Sequence, residues 1–347
     1  MASSLNNSAW VQWVTTLMGG ASRQSCAATF PPDRFYCLLD ELPLHLIPNR
    51  ALHWQAHEDS DQPVFMNPDC MLCAAGELPN ELAGGEADFS CFALKGTIAW
   101  VRDSTAECLR PFWLGPQFES VVRSFKPGAR VSLAVADSVR RRLTEAGILI
   151  TARYQERKAE RWGTVLERAA TSFRQKGYAP IANLIHPFHI AALRRYYRHL
   201  IRTGAIKLGD AQCSRRYVAY NEPVARFFHC AITAKLSALA GQALKPSYVY
   251  LASYLGGAEL KKHTDREQCE FSVTLCLDFS PEPALETPWP IRLDTASGTV
   301  AAYQGLGDAL AYRGTRLPHY RDALGSGQTS TSIFFHYVPV DFAGALD

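Results

Sequence analysis

From Tyr248 onward the chain is a succession of short β-type runs, and no other stretch constrains the fold as strongly. YVYLASYL, FSVTLCLDF, WPIRLDT, GTVAAYQ, GDALAYRG and STSIFFHYV are rich in β-branched and aromatic residues and are separated by Gly, Pro and Asp. Runs this short cannot each bury an apolar face alone. Packed as two facing sheets they can, which predicts a sandwich or barrel of the jelly-roll kind. Hydrophobic residues make up 47% of the 347 positions, enough for a sizeable core.

Upstream the text is mixed, so the expected class is α+β. Residues 1–85, rich in Pro, Cys and Trp without sustained periodicity, have no assigned fold. In 86–155, FALKGTIAWVRD predicts a β-hairpin or a strand pair and FESVVRSFKPG a short helix stopped by Pro-Gly. VSLAVADSVRRRLTEAGILIT predicts a helix closing into a strand, with Leu133, Ala136, Leu143 and Ile148 on its buried side. That order resembles a small winged-helix unit of the PqqD-like, peptide-binding type. Residues 156–172 lie in a charged helical connector that Gly177 can terminate. Residues 173–347 form the last domain. It opens with a short strand and a helix that starts near Pro187 and ends at Gly204.

Charge and cysteine usage exclude several classes. A formal charge of +3 is too small to mark a nucleic-acid face. No run of about 18 uncharged apolar residues suggests a membrane span, and the first residues read as neither secretory signal nor anchor. The ten cysteines lack framework spacing, which points to free thiols in a cytoplasmic setting. Cys70 and Cys73 form a single CxxC. A zinc site there would need help from His53, His57 or Cys91, and a plain thiol pair is the simpler reading. Arg140, Arg141 and Arg142 could meet phosphate but fit a solvated helix face. Lys261 and Lys262 could meet an acidic substrate or simply be exposed. His186, His189 and His199, like Tyr196 and Tyr197, belong to helix packing or surface.

One constellation carries chemistry. His263 and Asp265 sit two apart before FSVTLCLDF, a spacing that turns both side chains to one face of extended backbone. His319, 56 positions later in RGTRLPHYRD, can supply a third ligand from a separate strand. Two imidazoles and a carboxylate leave half an octahedron open, the facial triad of non-haem Fe(II) oxygenases. His336, in FFHYV, is the rival third ligand.

The segment SYLGGAELKKHTDREQCEFSVTLCLDF, the GDALAYRG strand and the late LPHYRD resemble the Fe(II)- and 2-oxoglutarate-dependent oxygenases of the prolyl-hydroxylase-like group, over roughly residues 173–340. The resemblance implies a double-stranded β-helix with flanking helices, Fe(II) held by His263, Asp265 and His319, 2-oxoglutarate as cosubstrate, and O2. It implies hydroxylation of an aliphatic carbon with release of succinate and CO2. An aspartate at 265 argues for hydroxylation, or for desaturation or ring formation, rather than halogenation, since related halogenases carry a small residue there. The group often places Arg or Lys about ten residues after the distal His, where this chain has GQTSTS. Arg321 is then the leading anchor for the cosubstrate's far carboxylate, with Arg313 and Arg316 as alternatives. Tyr254, Ser330 and Ser332 could add hydrogen bonds. Expected substrates are a peptide or amino-acid side chain, recruited by the N-terminal part, or a free small metabolite, with that part serving as a lid or in a homodimer. A non-enzymatic regulator with a ligand-sensing roll is a third reading. Nucleic acid is not an expected partner.

Overall fold

A computed structural model describes residues 30–48, 62–83, 87–103, 108–132 and 134–346. In chain order its elements are β1 (Phe65–Met66), β2 (Cys70–Cys73), α1 (Asn80–Ala83), β3 (Thr97–Asp103), β4 (Cys108–Leu114), α2 (Pro116–Arg123), α3 (Asp137–Ala146), β5 (Leu149–Ile150) and α4 (Ala152–Lys176). There follow β6 (Tyr178–Ile181), α5 (Pro187–Arg202), β7 (Lys207–Leu208), β8 (Arg216–Tyr220), α6 (Pro223–Ala231), α7 (Thr233–Ala240) and β9 (Leu244–Leu255). The chain ends with β10 (Leu260–His263), β11 (Phe271–Ser280), β12 (Ile291–Thr295), β13 (Gly298–Ala302), β14 (Ala309–Arg313), β15 (His319–Arg321) and β16 (Thr329–Pro339).

The β-rich half forms two facing antiparallel sheets. The larger runs β6-β14-β11-β16-β9-β8-β7 and the smaller β10-β15-β12-β13. Period-2 alternation decides what each face buries. On β9, Val249 and Leu251 join the core under the helices, while Tyr248, Tyr250, Ala252 and Tyr254 turn into the roll. On β16, Ile333, Phe335 and Tyr337 face the helices and Phe334 faces inward. Each of the six runs read as strands in the sequence contains or lies within a strand of these sheets, with Trp289-Pro290, Tyr303-Gln304, Gly307-Asp308 and Gly314 falling outside.

The helices over the outer face follow local chemistry. Pro187 opens α5 where its missing N–H is not needed, and His186 Nδ1 accepts the Phe188 amide. Glu222 caps α6 in the same way through Ala225 N–H. The Glu222 carboxylate also accepts the hydroxyls of the buried Tyr196 and Tyr197 of α5. Gly147, at φ 79°, ends α3 in the left-handed conformation that glycine reaches without a Cβ clash.

The N-terminal half differs from its sequence reading in three ways. FALKGTIAWVRD is one strand, β3, entered through a turn at Gly96, and its hairpin partner is β4. The third strand of that sheet, β2, comes from before residue 86, so a boundary at 85 cuts a sheet. The connector is longer than 156–172, because α4 runs unbroken from Ala152 to Lys176. The helix and strand in the 131–151 segment are α3 and β5. Val139, Leu143, Ala146 and Ile148 are buried; Ala136 is an exposed cap, and Leu133 lies outside the described residues. This half shares one core with the helices over the roll, as Phe35 packs edge-on against Tyr196 and Phe228. Among the described residues no helix is long and apolar enough to cross a membrane.

Candidate metal centre

β10 and β15 are neighbours in the smaller sheet, and their register sets His263 opposite His319. Asp265 lies just beyond β10 rather than on it, so the strand alternation expected from the sequence does not orient it. Its amide donates to Gly314 O at 2.9 Å, which fixes the backbone there. The three side chains nonetheless converge. Asp265 Oδ1 is 3.5 Å from His319 Nε2 and 3.7 Å from His263 Nε2, and the two imidazole centroids are 4.4 Å apart. His319 is buried and the other two are half-buried.

The outward ring nitrogens are already engaged. His263 Nδ1 is 2.7 Å from Lys261 O, and His319 Nδ1 is 3.0 Å from Leu317 O. A carbonyl only accepts, so each Nδ1 carries the proton and each Nε2 keeps a lone pair toward the convergence point. Burial alone would raise the Asp265 carboxyl. The His319 imidazole, then His336 and the Ser272 hydroxyl, overcome it and hold the group at about 2. Ser272 Oγ donates to Asp265 Oδ2 at 2.7 Å. A cluster of two imidazole nitrogens and one ionised oxygen suits a divalent transition metal with coordination positions to spare.

His336, the rival ligand, is buried beside this group with Nδ1 3.0 Å from Ser272 Oγ. Asp265, Cys269 and His336 form a second convergent set. Burial pushes the Cys269 thiol up to about 12 and His336 down to about 4, so the pair offers a neutral thiol and a neutral ring. Thiols bind metals as thiolates, which favours the set containing His263 and His319.

A cavity of about 510 Å³ opens beside the triad. Tyr220, Tyr248, Tyr250, Tyr254 and Phe334 give it aromatic walls, and Arg216 and Arg266 give it cations. Of the residues assigned to the cosubstrate, Tyr254 lines this cavity and is buried, its hydroxyl accepting from Arg216 Nη1 at 3.3 Å. Ser330 and Ser332 share the β16 face of Phe334 and His336 but do not line it. Arg321 is buried on the same face of β15 as His319, behind the lining. Its Nη1 donates to Trp289 O at 2.6 Å, its Nη2 to Gln304 Oε1 at 3.3 Å, and its guanidinium lies 4.6 Å from the Trp289 ring centroid. No carboxylate among the described residues pairs with it, and Nε lacks a hydrogen-bond partner. Asp322, its chain neighbour, pairs instead with Arg292. Of the alternatives, Arg313 pairs with Glu270 and lies over Phe271, and Arg316 is exposed.

Sequence reasoning missed Arg216, Ser272 and Tyr312. Arg216 opens β8, whose RYVAY alternation was a usable strand signal. Tyr312, buried with its hydroxyl 3.5 Å from His319 Nε2, lay in the GDALAYRG run without a role. The other signals resolve as structure. Arg142 turns inward to Leu39 O, Arg140 pairs with Asp137, and Lys262 pairs with Asp294. His186 and His189 are buried against the carbonyls of Glu145 and Pro111. Cys70 and Cys73 join no metal-ligating group among the described residues, while His53 and His57 lie outside them.

No protein-family model and no curated protein matches the sequence. Among solved structures, the non-heme α-ketoglutarate-dependent epimerase SnoN from nogalamycin biosynthesis is similar at 16% identity and a TM-score of 0.42, over 51% of this chain and 83% of that one. A Pseudomonas putida prolyl-4-hydroxylase is similar at 15% and 0.40, over 49% and 98%. HygX from Streptomyces hygroscopicus, with nickel, 2-oxoglutarate and hygromycin B bound, is similar at 12% and 0.41, over 50% and 88%. Likeness at this level leaves the chemistry to be read from the side chains that meet at the site.

Proposed function

We propose that the chain is an Fe(II)- and 2-oxoglutarate-dependent oxygenase that hydroxylates an aliphatic carbon of a peptide or amino-acid side chain, releasing succinate and CO2. One observation carries the reading. Two imidazoles with carbonyl-bound Nδ1 atoms and one low-pKa carboxylate aim their remaining donors at a common point beside a cavity. That donor set fits ferrous iron and leaves a face for 2-oxoglutarate and O2. Bound there, iron, cosubstrate and O2 would supply the oxidising power for C–H hydroxylation.

The chain's own residues have distinct tasks in this reading. His263, Asp265 and His319 hold the metal. Ser272 keeps Asp265 turned toward it by donating to the other carboxylate oxygen. Arg321 takes the far carboxylate of 2-oxoglutarate, since a buried guanidinium without a carboxylate partner gains most from a bidentate anion. The Tyr254 hydroxyl adds a donor from the cavity wall, and Ser330 and Ser332 support the same end of the roll. Asp265 occupies the position that a halide would need, which favours hydroxylation over halogenation.

A free small metabolite is the second reading of the substrate. The aromatic cavity favours it, because clustered tyrosines, their rings tilted on one another, suit a flat or cyclic molecule as well as a side chain. The enzyme assignment is tested by adding Fe(II) and then 2-oxoglutarate to the protein without oxygen. A weak visible charge-transfer band is expected, and it should vanish in His263→Ala. Its absence from the intact protein would remove the oxygenase reading.

A further inference from the structure

A second cleft, of about 690 Å³, opens between α4 and the α6–α7 pair and shares no wall residue with the metal-centre cavity. Its walls follow from helical spacing. Lys158, Trp162 and Val165 stand at i, i+4 and i+7 on α4 and so present one face. Opposite them are Phe227 and Phe228 of α6 and Ile232 between α6 and α7. The volume is that of a site for a compact organic ligand, typically about 300–1,000 Å³.

The polar groups in this apolar setting are out of balance. Arg110, Lys158, Arg161 and Lys235 line the cleft and, among the described residues, two carboxylates, Asp103 and Glu160, line it with them. Asp103 is already shared: Lys235 Nζ lies 3.2 Å and Arg110 Nη1 3.6 Å from its Oδ2. Lys235 is 7% exposed, and its ammonium also sits 4.4 Å from the Trp162 ring centroid. Two buried donors on the wall, Arg110 Nε and Trp162 Nε1, have no acceptor among the described residues. Burial first, then Arg110 and Lys235, depresses the Lys158 ammonium to about 7, as expected where cations crowd without enough counter-charge. Crowded cations and orphaned N–H donors beside an apolar wall are costly until an anion covers them.

We infer that this cleft binds a small amphipathic organic anion, its apolar body against Val165, Phe227, Phe228 and Ile232 and its carboxylate or phosphate head at Arg110, Lys158 and Lys235. The inference is independent of the metal centre. A chain of hydrocarbon displaces water from the aromatic wall, while the head accepts from Arg110 Nε and Trp162 Nε1 and balances the excess charge.

The test titrates the full chain calorimetrically with dodecanoate and, separately, with monododecyl phosphate, both below their micelle concentrations. One ligand per chain is expected for at least one of them, and the tighter identifies the head group. Dodecanol and dodecyltrimethylammonium should bind at least tenfold more weakly. Lys158→Gln, at a half-buried position where folding is safe, should weaken the anion at least tenfold. Val165→Trp should fill the cleft and abolish binding with the melting temperature retained. Equal binding of dodecanol would overturn the proposal. So would absence of binding by either anion, including the case in which another segment of the chain fills the cleft, or unchanged binding in both variants.

Discussion

His263 and His319 stand opposite one another on β10 and β15, and each hydrogen-bonds the carbonyl two residues before it through Nδ1. The two ligands are thus oriented by the same local device on adjacent strands, and both present Nε2. This predicts that the rings act as a matched pair and that His336, bonded instead to a serine hydroxyl, is dispensable for the metal. Fe(II) or Ni(II) titration should give at least about 100-fold weaker binding in His319→Ala, beyond the about 10–100-fold lost with supporting partners. His336→Ala should lose less than tenfold. The opposite order would transfer the site to Asp265, Cys269 and His336.

Asp265 is confined from behind. Ser272 donates to Oδ2, and a Cβ added at Gly314 would overlap that oxygen, Cys269 O and Ser272 Oγ at once. Ser272→Ala frees the carboxylate to rotate and should weaken metal affinity about tenfold. Gly314→Ala must displace the carboxylate or the backbone and should weaken it further. Melting curves without metal separate the two effects: Ser272→Ala should melt within a few degrees of the parent. Metal affinity unaltered in both variants would remove the role given to this enclosure.

The β-rich half was legible because period-2 patterns with Gly, Pro and Asp boundaries are local signals. The three converging side chains were legible for a related reason, since strand ends with His and Asp are conspicuous. What was not legible depends on distant contacts. β2 pairs with β3 across an intervening segment, so nothing near Cys70 announces a strand edge. β10 and β15 are 4 and 3 residues long, and LKKH and HYR look like loops until the register brings them together. Ser272 is one of many serines in strands, and only folding sets it between Asp265 and His336. The cleft under α4 was hidden because its charges come from β3, β4, α4 and α7, each of which reads singly as a solvated run.

Arg321 and Arg216 differ in what already satisfies them. Arg216 donates to Asp210 through Nε and Nη2, so its charge is matched. Arg321 has backbone, amide and ring contacts but no carboxylate partner among the described residues. Replacing each by Gln should therefore separate their roles. Arg321→Gln is expected to raise the 2-oxoglutarate concentration needed for half-maximal succinate formation at least tenfold, a loss of about 1.4 kcal/mol or more. Arg216→Gln should act mainly on the main substrate's KM, as Arg216 lines the aromatic cavity. Equal cosubstrate affinity in Arg321→Gln and its parent would move the anchor elsewhere.

Acid should destabilise the fold through histidines that perform no chemistry. His189 and His229 are 1% and 0% exposed, and desolvation first, only partly offset by the bonds to Pro111 O and His336 O, holds each at about 3. Below the unfolded value of 6.5 the unfolded chain takes up protons that the native chain refuses, so stability falls as pH falls. The contribution is intact above 6.5 and declines between there and about 3, where the native rings charge too. At pH 5 each ring costs about 2 kcal/mol relative to pH 7, or about 4 for the pair. Urea unfolding at the two pH values should register that drop. His229→Gln should remove about half of it whatever its effect at pH 7, because glutamine does not titrate. A pH slope unchanged in the His189→Gln, His229→Gln double variant would mean that the protons enter elsewhere.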